Sequence, residues 1–398
     1  MRRPELRDAE KKEHPVGDNH DQLFELSSSH RRLQEEARAF AASVRDIAER
    51  ADESDDVDPD MRKRLAGSGL AAITVPAEFG GRYDRVDSLA VTVAREVFAA
   101  ESAHLDSLLG MQGIGSYAIS AGGDDSVRAH WLPKVARLDA IAALALTEPD
   151  VGSDLKALST TVTERDGELI VSGHKSFITN GGDADFYCVL ARENDGYSLV
   201  LVPAAATGVS TEKPHQIIAP HVLGDVVLDE VRVPVEYRLG APGEGFKLVL
   251  ATLATFRVSV AGAAVGTAQA ALEEAVRHAS GREQFGVSLA RLGSVPASLA
   301  TSWTEIEMAR ALTYRAAAAA ARDPLANLHL SSMAKVGATE TAGRVVDRSV
   351  QTMGRFGLVR GSRIERLYRE ARPMRIYEGS TEVIQDSLAK QLVKQFAR

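Results

Sequence analysis

One carboxylate near the end of the chain is the first residue that could do chemistry. Glu378 lies between Tyr377 and Gly379 in the segment RIYEGSTEVIQ, just before a predicted helix start. An acid at that point can be an ordinary first-turn residue that the helix dipole stabilises. It can also be a base that faces a bound substrate, with the glycine letting the substrate approach the backbone. Taken alone, the segment favours the first interpretation, so the choice depends on the rest of the chain.

Two segments farther upstream place hydroxyl groups and glycines where the chain turns. LALTEPDVGSD (144–154) contains Thr147, Gly152 and Ser153, whose hydroxyls and backbone could hydrogen-bond a flat polar ring or a phosphate. FITNG (177–181) ends a predicted strand with an aromatic residue, a hydroxyl and a glycine turn. Taken alone, the first segment is better explained as a capped turn and the second as a strand end.

Several other chemistries have no motif in this sequence. We find no strand–GxGxxG–helix unit, no P-loop, and no HExxH, EF-hand or GxSxG segment. The single cysteine, Cys188, excludes an intramolecular disulfide and a cysteine-based metal cage. The formal net charge of -8 argues against a nucleic-acid partner, which normally requires a basic face. The sequence therefore predicts no metal site and a cofactor other than a nicotinamide.

The ends and apolar runs of the chain bear on its location. No uninterrupted run of about 18 apolar residues occurs, so no membrane insertion is expected. The first 22 residues lack the apolar core of a secretory signal and carry too many acids for a typical mitochondrial transit peptide. We expect a flexible polar extension over 1–22 and a cytoplasmic location.

Three zones of predicted structure must position the candidate residues. Apolar residues recur at helical spacing over 23–142, including the stretch 88–110. Short segments rich in β-branched and aromatic residues occupy 143–241, and long helical patterns with wide apolar faces return over 242–398. The predicted fold class is α+β, with an N-terminal all-helical domain, a central β domain of barrel-like or sandwich type, and a C-terminal helical bundle.

Taken in order, the motifs resemble those of the acyl-CoA dehydrogenase flavoproteins, from about residue 23 to the C-terminus. LTEPDVGSD resembles the first signature of that family, and GREQFG (281–286) resembles its Arg-x-x-Phe-Gly segment. RIYEGSTEVIQ resembles the closing Tyr-Glu-Gly signature, and the expected Gln351 and Gly354 precede it. The resemblance implies a helical domain, a β domain and a C-terminal four-helix bundle, which is the order that the apolar periodicity predicts.

The resemblance also implies an FAD site between the β domain and the C-terminal bundle. It places Ser153, Arg257 and Gly379 beside the substrate. Arg282, Phe285, Gln351 and Gly354 would hold the ADP half of an FAD bound to a neighbouring subunit, which implies a homo-oligomer, usually a tetramer. The full set of residues that the resemblance places on FAD is Leu146, Thr147, Gly152, Ser153, Phe177, Ile178, Thr179, Arg282, Phe285, Gln351, Gly354, Ser380, Thr381 and Glu382.

The implied activity is FAD-dependent α,β-dehydrogenation of an acyl thioester. Glu378 would take the α-proton while hydride passes from the β-carbon to flavin N5, and its backbone N–H would help to polarise the thioester carbonyl. Some members carry the base immediately before an arginine of the first long C-terminal helix. Here that position is Phe256, followed by Arg257, so no carboxylate competes with Glu378. The implied electron acceptor is an electron-transfer flavoprotein or a similar protein.

Departures from the family pattern leave the carrier and the reaction type open. The Asp that often lies three residues before this arginine is Ala254, and the Gly-x-Arg-x-Ser segment is absent from PHQIIAPHVLGDVV. The acyl group could therefore be carried by a carrier protein instead of CoA. The same scaffold could also belong to a flavin oxidase or monooxygenase, or to a helical protein that has lost its flavin.

Overall fold

Helices form the first part of the described chain. The computed structural model describes residues 26–397, so the extension predicted over 1–22 lies outside the described residues. Asp87, before α4, accepts hydrogen bonds from two backbone N–H groups of its first turn, as expected of a helix cap. The helices are α1 (Ser28–Ser43), α2 (Arg45–Asp52), α3 (Pro59–Ser68), α4 (Ser88–Glu101), α5 (Ala103–Gly122) and α6 (Asp125–Ala136).

The helical stretch 88–110 divides at Ser102. This residue has an extended backbone, and its Oγ accepts a hydrogen bond from the Leu105 N–H at 3.2 Å, so it caps α5. The same Oγ donates to the Asp52 carboxylate at 2.6 Å, which ties the corner to α2. The break allows α4 and α5 to pack against each other, and both helices then lie against the C-terminal bundle.

A single mixed sheet lies between residues 142 and 239. Its strand order is β6-β7-β3-β2-β4-β5-β8, and β1 pairs in parallel with β4. The end strands β6 and β8 do not pair, so the sheet is open and the barrel-like expectation was wrong. With only two residues, β8 offers too short an edge for closure. The strands are β1 (Ala142–Ala145), β2 (Thr161–Arg165), β3 (Glu168–Thr179), β4 (Phe186–Glu193), β5 (Gly196–Pro203), β6 (Val209–Glu212), β7 (Leu223–Pro234) and β8 (Arg238–Leu239).

An irregularity near the end of β3 presents an aromatic side chain outward. The pairing of β3 with β7 shifts register between Lys175 and Ile178. Phe177, inside this interval, has a φ of 55°, which is uncommon for a residue with a side chain. Such a bulge bends its strand and redirects a side chain. Phe177 is 52% exposed as a result, although both of its neighbours in sequence are buried.

Long helices form the rest of the molecule, which confirms the predicted α+β class. α7, α8 and α9 pack against one another through an alanine-rich apolar core. A two-stranded hairpin of β9 (Glu283–Gln284) and β10 (Val287–Ser288) lies between α7 and α8. The helices are α7 (Gly245–Gly281), α8 (Val295–Arg322), α9 (Leu328–Met353), α10 (Arg363–Ala371) and α11 (Thr381–Phe396).

Among the described residues, α7 is the one helix that is long and apolar enough to cross a membrane. Its most apolar window is 78% buried inside the protein, as in the core helix of a globular domain. The cytoplasmic location stays a prediction.

Candidate functional site

The turn at residues 377–379 holds the predicted base in a conformation that few residues adopt. Glu378 has a φ of 53° and Gly379 a φ of 99°. The left-handed region costs a residue with a side chain about 1–2 kcal/mol, so the surrounding structure must maintain it. The Tyr377 N–H donates to the Pro373 carbonyl on one side of the turn, and Ser380 caps α11 on the other.

Two cationic side chains bind the carbonyl groups of this turn. Arg257 of α7 donates through Nε to the Glu378 carbonyl at 3.1 Å, and its Nη1 donates to Ser332 Oγ at 3.1 Å. Lys335 of α9 donates through Nζ to the Gly379 carbonyl at 2.7 Å. Arg257, predicted to lie beside the substrate, is thus attached to the backbone of the base. Lys335 was not predicted. The signal that could have found it is a lysine among the small residues of SSMAKVGATETAG.

The Glu378 carboxylate is available for an external partner. Its Oε2 is buried and has no hydrogen-bond partner among the described residues. Buried polar atoms are normally hydrogen-bonded, so an oxygen left in this state calls for an explanation, and a bound ligand would provide one. Burial raises the pKa of Glu378, while the charges of Arg95, Arg257 and Lys335 act in the opposite direction. A carboxylate with a raised pKa is a better general base near neutral pH.

A buried ion pair reaches the same region from the N-terminal helices. The guanidinium of Arg95 (α4) donates through Nε and Nη2 to the two carboxylate oxygens of Asp106 (α5), each at 2.8 Å, and through Nη1 to Ser259 Oγ at 2.9 Å. Burial raises the pKa of the Tyr377 hydroxyl, and Arg95 partly opposes that change. The ion pair therefore adds a charged group to the environment of the 377–379 turn.

The alternative position for a base holds a buried ring. Phe256 is 1% exposed and packs edge-on to Tyr117, with ring centroids 5.7 Å apart. Its ring also lies against Gly113, where an added Cβ would come within 2.2 Å of Phe256 Cε1. Gly113 is thus required for this ring to fit. The position offers packing and no carboxylate.

The structure brings the segment 144–154 against the end of β3, where the segment 177–181 begins. Thr147 Oγ1 donates to the Ser176 carbonyl at 2.5 Å, and the Ser176 N–H donates to the Thr147 carbonyl at 2.9 Å. One residue farther along, Glu148 forms a buried ion pair with Lys175, with Nζ 3.0 Å from Oε1. Lys175 also donates to the Leu146 carbonyl at 3.0 Å. These contacts fix the loop 146–148 against the end of β3.

The Glu148 carboxylate is the centre of that arrangement. The Ser159 N–H and Oγ both donate to its Oε2 at 2.6 Å, and the Thr160 N–H donates to Oε1 at 2.9 Å. Burial acts to raise the pKa of Glu148, but these hydrogen bonds outweigh it and lower the pKa to about 2. The carboxylate is therefore ionised across the neutral range. Its negative charge faces Lys175 and anchors the loop 146–148. The spacing of residues in the sequence did not indicate this ion pair.

The surface beside this loop suits a flat aromatic ring. Phe177 stacks on His215, with centroids 4.2 Å apart and planes within 10°. Thr179 Oγ1 lies 3.2 Å from His221 Nε2, and burial lowers the pKa of this histidine to about 4, so the imidazole is neutral at pH 7. Gly152 and Ser153 are exposed, and a Cβ added at Gly152 would meet nothing within 4 Å. Ile178, in contrast, is buried in the sheet.

A second group of predicted residues lies at the end of α9 and on the hairpin that follows α7. The Arg282 guanidinium lies 5.2 Å from the centre of the Phe356 ring, and Phe356 follows Gly354 closely in sequence. Phe285, at the tip of the hairpin between α7 and α8, is 92% exposed with a φ of 52°. Gln351 is also exposed. An exposed ring in a strained conformation suggests a contact outside this chain.

Two predicted residues at the start of α11 differ in their surroundings. Thr381 is 8% exposed, and its Oγ1 donates to Glu340 Oε1 at 2.8 Å, so this hydroxyl is directed towards α9. Glu382 is exposed.

Over residues 26–397, no cluster of three or more His, Cys, Asp and Glu residues could hold a metal ion. The buried partnerless oxygen at Glu378 and the exposed aromatic surface at Phe177 suit an organic ligand.

Sequence models of one family match most of the chain. The acyl-CoA dehydrogenase N-terminal domain matches residues 27–139, the middle domain residues 143–231, and the C-terminal domain residues 243–393. These matches follow one another in the order in which the helices, strands and helices occur.

Individual proteins agree with these matches. Cyclohexane-1-carbonyl-CoA dehydrogenase of Geobacter metallireducens is 30% identical over 382 residues, covering 94% of this chain and 100% of that protein. The structure of butyryl-CoA dehydrogenase from Megasphaera elsdenii matches with a TM-score of 0.88 at 28% identity, over 93% of this chain and 99% of that one. An acyl-CoA dehydrogenase complexed with FAD from Bacillus anthracis matches with a TM-score of 0.85 at 25% identity, over 93% of this chain and 68% of that one.

Proposed function

Because this chain belongs to the acyl-CoA dehydrogenase family, we propose that it removes one hydrogen each from Cα and Cβ of an acyl-CoA, with Glu378 as the base. The family matches and the FAD-containing structure that shares its fold make it an FAD-dependent oxidoreductase. When bound, FAD supplies the acceptor for the hydride that leaves Cβ. The chain's own residues must bind the thioester, polarise its carbonyl and remove the α-proton.

The observation that carries this proposal is the buried, partnerless Oε2 of Glu378. The 377–379 turn is held through its carbonyl groups by Arg257 and Lys335, which fixes where the carboxylate lies. Within the described residues, the Glu378 N–H donates to no protein acceptor. That N–H is therefore free to donate to a thioester carbonyl, which makes the adjacent α-proton more acidic. The proton then passes to Glu378, and a 2-enoyl thioester results.

The proposed FAD site combines the surface around Phe177 with the second group of residues, at the end of α9 and on the hairpin that follows α7. Thr147, Phe177 and Thr179, with the exposed backbone at 152–153, would contact the flavin. The contacts to the ADP half of an FAD bound to a second subunit would come from Arg282, Phe285, Gln351 and Gly354. The exposure of Phe285 supports that assignment, because at 92% it is the highest among the large apolar side chains of the described residues, and its φ of 52° is strained.

We expect a homo-oligomer, with a tetramer as the family resemblance implies. Besides Phe285, three apolar residues near the end of α11 are exposed, namely Leu392 at 56%, Val393 at 65% and Phe396 at 73%. Sedimentation velocity of the FAD-loaded protein measures its state directly. A monomer that retains a full complement of FAD would contradict a site shared between subunits.

We further propose that an electron-transfer flavoprotein or a similar protein reoxidises the reduced enzyme.

Anaerobic titration of the purified flavoprotein with acyl-CoAs of graded length and branching tests the proposed reaction. Bleaching of the flavin absorbance by one group of acyl-CoAs is the expected result, and the preferred chain identifies the substrate class. Bleaching only by acyl groups on a carrier protein would replace CoA as the carrier. Rapid reoxidation of the bleached enzyme by oxygen would indicate an oxidase. A colourless protein that cannot be reconstituted with FAD would contradict the proposal altogether.

Substitution of the glycine after the base should damage the turn. In Gly379→Ala, the new Cβ would lie 3.2 Å from Ile384 Cγ1 and 3.4 Å from Arg257 Nη2, at a φ of 99°. We expect the free energy of unfolding to fall by about 1–2 kcal/mol, because alanine is strained at this φ. We also expect flavin bleaching to slow at least about tenfold, because Glu378 moves with the turn. Thermal unfolding and stopped-flow absorbance measure the two effects.

Gly67→Ala is the matched control for this substitution. Gly67 lies inside α3, and an added Cβ there would meet nothing within 4 Å. Alanine favours a helix over glycine by about 1 kcal/mol, so this variant should be at least as stable as the parent and should bleach normally. Equal behaviour of the two variants would contradict the special role of the 377–379 turn.

A further inference from the structure

Lys335 carries a buried ammonium group that has no assigned role in the proposed reaction. Its side chain is completely buried in α9, and among the described residues its hydrogen-bond acceptor is the Gly379 carbonyl, 2.7 Å from Nζ. Lys175 is equally buried but forms an ion pair with Glu148. No carboxylate of residues 26–397 lies within 4 Å of the Lys335 ammonium, which is an unusual state for a buried charge.

A structural role alone does not account for a charged residue here. The Gly379 carbonyl needs one hydrogen-bond donor, and a neutral amide could supply it without the desolvation cost of an ammonium. Burial lowers the pKa of Lys335 to about 8, and the charge of Glu378 opposes this more than any other group. At neutral pH most of the ammonium therefore stays charged, and the carboxylate that sustains its charge is the proposed base.

The charged and titratable groups around the base come from every element packed near it. They are Arg95 on α4, Asp106 on α5, Arg257 on α7, Lys335 on α9 and Tyr377 in the turn. Arg95 is neutralised by its two bonds to Asp106. Arg257 and Lys335 have no such counter-ion in the described part of the chain, and Lys335 is also influenced by Glu340 and Glu382.

We propose that Lys335 is a positioning residue for Glu378, which it serves by holding the Gly379 carbonyl and by keeping the carboxylate ionised in a buried site. This inference rests on the proposed function of Glu378. The hydrogen bond fixes the second half of the 377–379 turn, as Arg257 fixes the first. The positive charge acts against the burial that raises the pKa of Glu378, so it favours the ionised carboxylate that can accept the α-proton.

Three substitutions separate the hydrogen bond from the charge. Lys335→Met removes both, Lys335→Gln keeps a neutral donor, and Lys335→Arg keeps the donor and the charge. The rate of anaerobic flavin bleaching, measured against pH, has an acidic limb that reports protonation of the base. We expect this limb to move to higher pH by about one unit in Lys335→Met and Lys335→Gln. Lys335→Arg should restore the limb close to its original position.

A second readout does not depend on turnover. Infrared difference spectra against pH show the carboxyl stretching band of protonated Glu378, assigned by its disappearance in Glu378→Gln. That band should persist to higher pH in Lys335→Met than in the parent. Arg238→Met serves as the buried-cation control, since it removes a guanidinium that is 8% exposed and pairs with Glu193 outside the proposed flavin site. It should leave the FAD content and the Glu378 band unchanged.

The outcomes distinguish this inference from the proposed function. If the parent enzyme is not bleached by any acyl thioester, the proposed function fails first. If the parent is bleached and neither the limb nor the band moves in Lys335→Gln, Lys335 has no effect on the charge of Glu378 and the inference is wrong. Should Lys335→Met not fold, the pair Lys335→Gln and Lys335→Arg still decides, because both keep a donor and only one keeps the charge.

Discussion

Glu378→Gln is expected to bind FAD like the parent protein and to lose bleaching by acyl-CoA by a factor of about 10³ or more. An amide has nearly the shape of the carboxylate, so the 377–379 turn and its bonds to Arg257 and Lys335 should persist. It cannot accept the α-proton, and a positioned general base typically accounts for about 10²–10⁴ of the rate. Anaerobic stopped-flow absorbance measures the loss, and the flavin content of the purified variant shows that the cofactor site is intact.

A nearby acid provides the matched control for this experiment. Asp386 lies on the exposed side of α11, where its carboxylate accepts a hydrogen bond from Lys390. Asp386→Asn makes the same chemical change close to the base in sequence, and it should bleach at the parental rate. Normal bleaching in Glu378→Gln would exclude Glu378 as the base. Equal losses in both variants would point to a general effect on the C-terminal segment.

The pH dependence of flavin bleaching by the parent enzyme is a further test of Glu378 as the base. Burial raises the pKa of Glu378 above that of an ordinary glutamate. The base acts only when ionised, so bleaching should slow as the pH falls through that raised pKa. This acidic limb should be missing from whatever slow bleaching Glu378→Gln retains. A limb that survives unchanged in the variant would belong to another group.

Short contiguous patterns were enough to predict the fold class, and their resemblance to family signatures indicated the candidate base. Helical spacing and β-branched runs are local properties, so they indicated helices, then strands, then helices. LTEPDVGSD and RIYEGSTEVIQ are likewise contiguous, and they led to Thr147 and Glu378. The open edge of the sheet was not predicted, because closure depends on how long the terminal strands are. β8 has only two residues and pairs with β5 alone.

The residues that support the site are joined by contacts between distant parts of the chain. Lys335 binds a carbonyl 44 residues away, and Lys175 binds a carboxylate 27 residues away. Neither separation corresponds to a helical or strand repeat, so no periodicity indicates it. What the sequence does contain is a lysine in a largely apolar strand (Lys175) and a lysine among the small residues of a helix (Lys335). A buried lysine needs a partner, but only the packing of α9 against the turn, or of the loop 146–148 against β3, identifies which one.

Glu148→Gln should release FAD and destabilise the fold by about 3–5 kcal/mol. It leaves the Lys175 ammonium buried at 0% exposure without a counter-ion, although the Leu146 carbonyl still accepts a hydrogen bond from it at 3.0 Å. Breaking a buried ion pair by removing one partner costs about this much, because the other charge stays uncompensated. The loop 146–148 carries Thr147, so its loosening should also weaken FAD binding. Thermal unfolding with and without added FAD measures both effects.

Glu193→Gln is the matched control, because it breaks a second buried ion pair outside the proposed flavin site. Glu193 Oε1 lies 2.7 Å from Arg238 Nη2, and their side chains are 4% and 8% exposed. Arg238 also pairs with the more exposed Glu164 at 2.8 Å, so it keeps one counter-ion and the loss of stability should be smaller than in Glu148→Gln. This variant should lose stability and keep its affinity for FAD. If both variants lose FAD to the same degree, the loss reflects general destabilisation of the sheet.

A double variant separates the charge from the shape of the Glu148–Lys175 pair. Glu148→Gln/Lys175→Met leaves no unpaired ion at this position, so it should be more stable than Glu148→Gln alone, even though it contains one more substitution. Lys175→Met alone should cost less than Glu148→Gln, because the remaining carboxylate keeps its hydrogen bonds from Ser159 and Thr160. Strictly additive losses in the double variant would mean that the two charges do not interact, and the loop 146–148 would then be held by the Thr147–Ser176 hydrogen bonds instead.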